Sequence, residues 1–280
     1  MAANRGETVA HARWRQVVGS LVAAWAVVLL PSLAAGQARS AAVGVAPTRV
    51  MVRAVARDAK VIGSGVGGAR ITIRNAETGE VLAEGVQRGG TGDTRAIMLD
   101  PRPRGRTAYG ADPEAAGFLA ELPLTKPTRV QVTAEGPLST PGALSRASKT
   151  LLLIPGRDVL GEGIILELNG FTVRLLLPED GDPSLAAGDR MAVRARVTML
   201  CGCPTEPGGL WDSDRIELMA RLVRGGRVVA ERPLRFSGER SVFEAEMPVP
   251  EPGPLTLEVL AMDPSTANFG IVRRPLKVRR

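Results

Sequence analysis

"IILELNGFTVRLLLP", residues 164–178, sets two apolar runs on either side of Asn169-Gly170. Both turn residues tolerate positive φ, so Asn-Gly between such runs predicts a β-hairpin. The flanking Ile, Leu, Phe, Thr and Val suit a pleated, half-buried surface. The same texture continues downstream through "DRMAVRARVTML" (189–200), "DRIELMARLVRGGRVVAERPLRF" (214–236), "RSVFEAEMPVP" (240–250), "LTLEVLAMD" (255–263) and "FGIVRRPLKV" (269–278). Gly225-Gly226 marks another tight turn.

Upstream, "TRVMVRAVARD" (48–58) alternates, and "ARITIRNAETGEVLAEGV" (69–86) reads as two strands around a turn with Gly79. "TRAIML" (94–99) reads as a further strand, followed by "TRVQVTAEG" (128–136) and "SKTLLLIPG" (148–156). Residues 100–117, rich in Pro, Gly and charge, read as a long exposed loop, with a short helical turn near "PEAAGFLAEL" (113–122). Short strands, regular turn signals and no sustained helical period predict an all-β chain of two tandem β-sandwiches. The first is expected over 39–156 and the second over 157–280, with "PGRDVLGEG" (155–163) as the linker.

Two resemblances follow from these phrases. "GARITIRNAETGEVLAEGV" (68–86) resembles the strand-turn-strand of transthyretin-like, carboxypeptidase-regulatory-type modules. "FEAEMPVPEPGPLTLEVLAMD" (243–263) is similar to exported bacterial Ig-like domains, in which a Pro-Gly turn leads into the penultimate strand. Some domains of that kind accompany copper handling. The resemblance implies a sandwich fold and a binding or scaffolding role, and it carries no site residues across.

The N-terminus reads as a signal peptide over 1–38. Arg5, Arg13 and Arg15 precede the apolar run "VVGSLVAAWAVVLL" (17–30), which Pro31 ends. Small residues then place cleavage after Ala38, with Ala34 as the alternative site and an uncleaved anchor as the alternative fate. The run is short for a membrane span, and no later run approaches the length one needs, so no transmembrane helix is expected in the mature chain. Losing three Arg and one Glu takes the formal charge from +7 to +5. The expected location is periplasmic or secreted.

Removal of the leader also removes the only histidine, His11, along with Trp14 and Trp25. Without imidazole, Ser-His-Asp and Cys-His nucleophile systems are out of reach, and two thiols fall short of a four-thiolate zinc site. The reading is therefore not an enzyme. The arginines are scattered, and few aromatics are interleaved to stack on bases, so no nucleic-acid partner is expected. "GSGVGG" (63–68) has the glycine spacing of a dinucleotide loop, but a strand pattern follows it where a helix is required. Asp212, Asp214 and Glu217 lack the glycine and distal acid of a calcium loop.

Both cysteines lie in "VTMLCGCPTEPGGLW" (197–211). Three chemistries fit Cys201-Gly202-Cys203. Two thiols in an oxidising compartment pair as a disulfide, which the central glycine permits. A small, strained disulfide can instead serve thiol exchange. In an extended strand, Met199, Cys201 and Cys203 project to one face, and copper(I) accepts thioether and thiolate ligands without histidine. The loop beyond carries Pro204, Trp211, Asp212 and Asp214, and loops on a rigid sandwich are where binding surfaces are built. The expected function is that of an exported, non-enzymatic binding or assembly module of the periplasm, meeting a protein partner of the cell envelope through this loop. No cofactor is expected under that reading. The alternative is copper(I) handling through Met199, Cys201 and Cys203.

Overall fold

The computed structural model describes residues 46–180 and 185–279. The expected signal peptide and its cleavage site lie outside the described residues. Seven strands form the first pair of sheets: β1 (Thr48–Ala56), β2 (Ala69–Asn75), β3 (Val81–Gln87), β4 (Phe118–Leu122), β5 (Thr128–Gly136), β6 (Ser145–Leu153) and β7 (Val159–Leu168). Eight form the second pair: β8 (Phe171–Leu177), β9 (Arg190–Met199), β10 (Glu217–Arg224), β11 (Arg227–Pro233), β12 (Arg235–Phe236), β13 (Val242–Pro248), β14 (Gly253–Asp263) and β15 (Asn268–Val278). The sheet orders are β4-β1-β7 and β3-β2-β5-β6, then β12-β13-β9-β8 and β11-β10-β14-β15. The chain is thus an all-β, sandwich-type protein. Among the described residues no helix is long and apolar enough to cross a membrane.

Alternation builds these layers. In β9, Met191, Val193, Ala195 and Val197 are buried; in β14, Leu257, Val259 and Ala261 are. Each pair of sheets closes on such inward rows, and burial of an aliphatic side chain is worth roughly 1.5–3 kcal/mol. One apolar cluster runs through both pairs and includes Phe171, Leu200, Cys201 and Cys203. Residues 44–280 form one compact unit.

The opening stretch behaves differently from its local signal. β7 pairs in parallel with β1, setting Val52 opposite Ile164 and Ala56 opposite Leu168. β8 pairs antiparallel with β9, setting Phe171 opposite Met199. Asn169-Gly170 is therefore not a hairpin turn; it carries the chain from one pair of sheets to the other. The change of sheet falls there and not at 155–163, where β7 has already begun. A hairpin needs its two arms to pair, and here each arm buries its apolar row against a different strand. Gly170, at φ +142, makes the change of direction. The far side of the fold holds the joint. The Gly170 N–H donates to Asn268 Oδ1 at 2.7 Å, and Asn169 Nδ2 donates to the carbonyls of Thr266 and Ala267 at 3.1 and 3.3 Å.

β1 is buried on both faces from Ala54 to Ala56, because 93–117 covers the outside of its sheet. The expected strand at 94–99 is instead a single wide helical turn, Arg95–Leu99, closed by the Asp100 N–H to the Arg95 carbonyl at 2.8 Å. Its purpose is one contact: Ile97 plugs a small cluster with Val55, Val61 and Ala116. Residues 100–117 are likewise not a wholly exposed loop, since Ala108, Ala115 and Ala116 are buried. The Glu162 carboxylate gathers the N–H groups of Ala108, Tyr109 and Gly110, the last at 2.9 Å. The helical turn expected at 113–122 is absent, and β4 occupies its second half.

A buried amide ties the first pair together. Gln87 is fully buried; its Oε1 accepts from the Ala54 N–H at 2.7 Å, and its Nε2 donates to the carbonyls of Ala54 and Ile62 at 2.9 and 2.8 Å. β4 leaves β1 after Val52, so Gln87 supplies partners that no strand provides there. Gln87→Leu strands these groups away from water, which costs about 3 kcal/mol. Urea unfolding should show that loss, whereas Gln131→Leu on the exposed side of β5 should leave the midpoint near that of the parent.

Candidate functional site at the junction of the sheet pairs

β9 ends at Met199, and the chain folds back at once. The Gly202 N–H donates to the Met199 carbonyl at 2.8 Å, and the Met199 N–H donates to the Cys203 carbonyl at 3.1 Å. Gly202 sits at φ +79, and a Cβ there would lie 2.8 Å from Val66 Cγ1. The knuckle is thus seated against the turn Ser64–Val66, which is where the glycines of 63–68 are used. Cys201 and Cys203 are bonded to each other, with Cα atoms 5.4 Å apart and both residues buried. A ring closed over so few residues restricts the unfolded chain by only about 1.6 kcal/mol. Its main effect is local: it fixes the shape of the knuckle.

The turn ends the extended geometry that would align Met199 with the cysteines. Met199 lines a small cleft with Phe171, Trp211 and Asp263. The cysteines line a different cavity, of about 300 Å³, with Lys60, Thr94, Pro204 and Trp211. Sulfurs already bonded to each other offer no thiolate to a soft metal. Lys60 Nζ donates to Thr94 Oγ1 at 2.9 Å and to the Gly92 carbonyl at 3.2 Å. Burial pushes its pKa below the ordinary lysine value, against the opposing pull of Asp93 and Asp112.

The loop beyond is held by its own polar groups. Thr205 is buried; its Oγ1 donates to the Val197 carbonyl at 2.7 Å, and its N–H donates to Ser241 Oγ at 3.1 Å. Asp212 caps the short turn Ser213–Arg215. Its Oδ1 accepts from the N–H groups of Asp214 and Gly208 at 3.0 and 2.9 Å. Those bonds hold the Asp212 carboxyl below the usual aspartate range. Asp214 is exposed, Pro204 and Trp211 are partly buried, and Trp211 Nε1 donates to the Asp58 carbonyl at 3.0 Å. Asp58 adopts φ +54, an uncommon conformation for a residue with a side chain. Trp211 is therefore committed to a contact within the chain.

A larger cavity of about 600 Å³ opens on the other side of Asp58. Arg57, Arg102, Tyr109, Glu167, Arg215 and Thr266 line it. Arg57 Nη1 meets Glu167 Oε2 at 2.8 Å. The Arg102 guanidinium lies 5.1 Å from the centre of the Tyr109 ring and donates to the Ile97 carbonyl. Asp100, also on the wall, is taken by Arg95 and Arg106, each at 3.1 Å. Burial raises the Asp263 pKa, but hydrogen bonds from the side chains and N–H groups of Ser265 and Thr266 outweigh it and hold this carboxyl low. Three guanidiniums, from Arg57, Arg102 and Arg215, and three carboxylates, from Asp58, Asp100 and Glu167, make this a polar cavity of balanced charge. Among the described residues no three Cys, His, Asp or Glu side chains group closely enough to hold a metal ion.

Sequence reasoning placed the loop but missed Arg57, Tyr109 and Arg215. The available signal was Tyr109, the only tyrosine, close after the Arg-rich run 102–106. Nothing in the sequence brings that run to the end of β1.

No family model and no curated protein matches this chain. Among solved structures, the fibronectin(III)-like modules of Clostridium thermocellum CbhA share 10% identity over 82% of this chain and 89% of theirs, with a TM-score of 0.25. An engineered protein shares 18% identity over 46% of this chain, with a TM-score of 0.29. The Parabacteroides merdae β-glucuronidase shares 11% identity over 82% of this chain, with a TM-score of 0.21. The matched region spans only 24% of each of the last two proteins. Scores this low leave the fold resting on the strand pairings described above.

Two outcomes follow from the geometry of the junction. Gly202→Ala combines a positive φ with a clash and should cost about 1–2 kcal/mol. Adding Val66→Ala should recover the clash share, so the double variant loses less than the sum of the singles in denaturant unfolding. The second concerns acid. Asp212 and Asp263 have lowered folded-state pKa values, so their stabilisation is present above the ordinary aspartate value, about 3.9, and is lost as pH falls through the lower folded values. Trp211 emission, recorded with Trp14 and Trp25 replaced by Phe, should shift reversibly in that acid window. Asp212→Ala should already show part of the shift at neutral pH.

Proposed function

We propose that this chain is an exported, non-enzymatic β-sandwich protein that serves as a binding or assembly module of the periplasm. Its protein partner in the cell envelope meets the junction formed by 199–215 and 95–109. One observation carries the reading: an open polar cavity of about 600 Å³, lined by three arginines and three acids, lies where both pairs of sheets meet. Its walls have a fixed shape, because the hydrogen bonds of Thr205, Asp212 and Glu162 hold the loops from within. Preformed loops on a rigid frame lower the ordering cost of binding. Leu210, exposed beside Trp211, adds an apolar contact on the neighbouring small cleft, which shares Asp58 and Arg215 with this cavity. Of the three acids on the wall, Glu167 and Asp100 are already engaged by arginines, which leaves Asp58 without a second free carboxylate to work with.

A photo-crosslinking residue at position 210 should yield one discrete protein adduct in the periplasmic or envelope fraction. Arg102→Glu with Arg215→Glu should abolish it, and the same probe at Lys149 should not form it. A chain retained in the cytoplasm, or an adduct indifferent to both reversals, would rule the reading out. The alternative, copper(I) handling through Cys201, Cys203 and Met199, requires prior reduction of the disulfide. Native mass after reduction in the presence of copper(I) separates the two: a gain of one copper that is lost in Cys201→Ser with Cys203→Ser favours the metal.

A further inference from the structure

The two outer faces of the second pair of sheets differ in chemistry. On the β12-β13-β9-β8 sheet the outward residues form ion pairs: Arg190 with Glu246 at 3.3 Å, Arg194 with Glu244 at 3.2 Å, and Arg196 with Glu239 at 2.6 Å. That face is built for water. On the β11-β10-β14-β15 sheet, the pairing register lines up cross-strand rows. One row is Pro233, Met219, Leu260, Ile271; the next is Glu231, Arg221, Glu258, Arg273; the third is Val228, Val223, Thr256, Pro275. All point away from the core, since their chain neighbours Leu218, Ala220, Leu222, Leu257, Val259 and Ala261 are buried. The row beyond the first apolar one is Glu217, Met262, Phe269, mixed in character, with Phe269 55% exposed. An apolar row, an ionic row of alternating sign and a second largely apolar row lie side by side on one sheet, and at its β15 edge Leu260, Met262, Phe269 and Ile271 also border a cavity shared with residues 142–145.

We propose that this face is an isologous dimer interface, occupied by the same face of a second copy of the chain. Two copies of this face are complementary in charge. A two-fold axis parallel to the strands and through the middle of the ionic row sets Glu231 against the other copy's Arg273, and Arg221 against the other copy's Glu258. The same axis sets Met219 against Leu260 and Pro233 against Ile271, apolar on apolar. The sequence of signs, minus-plus-minus-plus, reads as its own complement when reversed, which is what a self-complementary surface requires. Within one chain Arg221 already meets Glu231 at 3.2 Å and Arg273 meets Glu258 at 2.8 Å, so the charges are held in place before docking. Four strands about 4.8 Å apart and a face about seven residues long give a flat area on the order of 450 Å² per copy. That is the low end for a specific pair, so the dimer is weak and depends on concentration.

Sedimentation velocity on the purified chain, from about 1 µM to about 1 mM, should show a reversible monomer–dimer equilibrium. Arg221→Glu places like charges across the axis twice, as does Glu258→Arg; each should weaken association roughly a hundredfold or more. Mixing the two variants should restore it as a heterodimer, because each reversed residue then meets an opposite charge. This rescue reads the interface directly, since a variant that fails to fold cannot be rescued by its complement. Leu260→Glu should also yield monomers, and Glu246→Arg on the opposite sheet should change nothing. A parent chain that stays monomeric throughout, or a dimer indifferent to both reversals, overturns the proposal. So does failure of the two folded variants to pair when mixed.

Discussion

Val52 lies opposite Ile164 and Ala56 opposite Leu168, and this parallel register between the first strand and the seventh decides where the chain must go next. It draws 159–168 away from the strand that follows and fills the open side of β1. The chain then leaves the first pair of sheets at Asn169-Gly170, close to the end of β1 and to Arg57 and Asp58. The Arg57 N–H donates to the Leu168 carbonyl at 2.8 Å, which fixes that proximity. Parallel pairing needs a long crossover, and the intervening hundred or so residues supply it as the rest of the first pair.

The junction is a consequence. With β8 starting beside the end of β1, the end of β9 and the loop after it arrive at the same place. Gly202 seats on Val66, Trp211 on the Asp58 carbonyl, and Asn268 reaches the Arg57 carbonyl at 3.2 Å. The disulfide, the Asp212 cap and the Thr205 hydroxyl each stiffen one part of that loop. The contacts are polar at the rim and apolar beneath, where Phe171, Leu200 and both cysteines join the common core.

The contrast between the outer faces follows from the same alternation that makes the core. Once the inward residues of β10, β14 and β15 are spent on the sandwich, the outward ones are free to vary. On this sheet they are Met, Leu, Ile and Val around a band of charge, whereas on the β9 and β13 face they are Arg and Glu. Half-buried apolar rows on an outer sheet face are costly to leave in water, and the band of alternating charge limits which surface can cover them.

The all-β character and most strand positions were legible from alternation alone, because a strand's period of two is written residue by residue. The turns at Gly79 and Gly225-Gly226 were legible for the same local reason. Residues 94–99 were misread because one buried side chain, Ile97, fixes that turn, and a single residue has no period. Asn169-Gly170 was misread because a hairpin signal describes what the turn can do and not which strands its arms will pair with. The Cys201–Cys203 disulfide was one of three chemistries the Cys-Gly-Cys stretch allowed; the spacing alone did not choose among them, and the burial of both residues comes from the packing around the knuckle. The sequence by itself determined the strands, the small-residue turns and the absence of histidine beyond residue 11. Only the tertiary structure decided that β7 joins β1, that Trp211 is spent inside the chain, and that Arg57, Arg102 and Arg215 share one cavity. Those outcomes rest on contacts between residues far apart in sequence, which compete on total burial and hydrogen bonding and leave no mark on local periodicity.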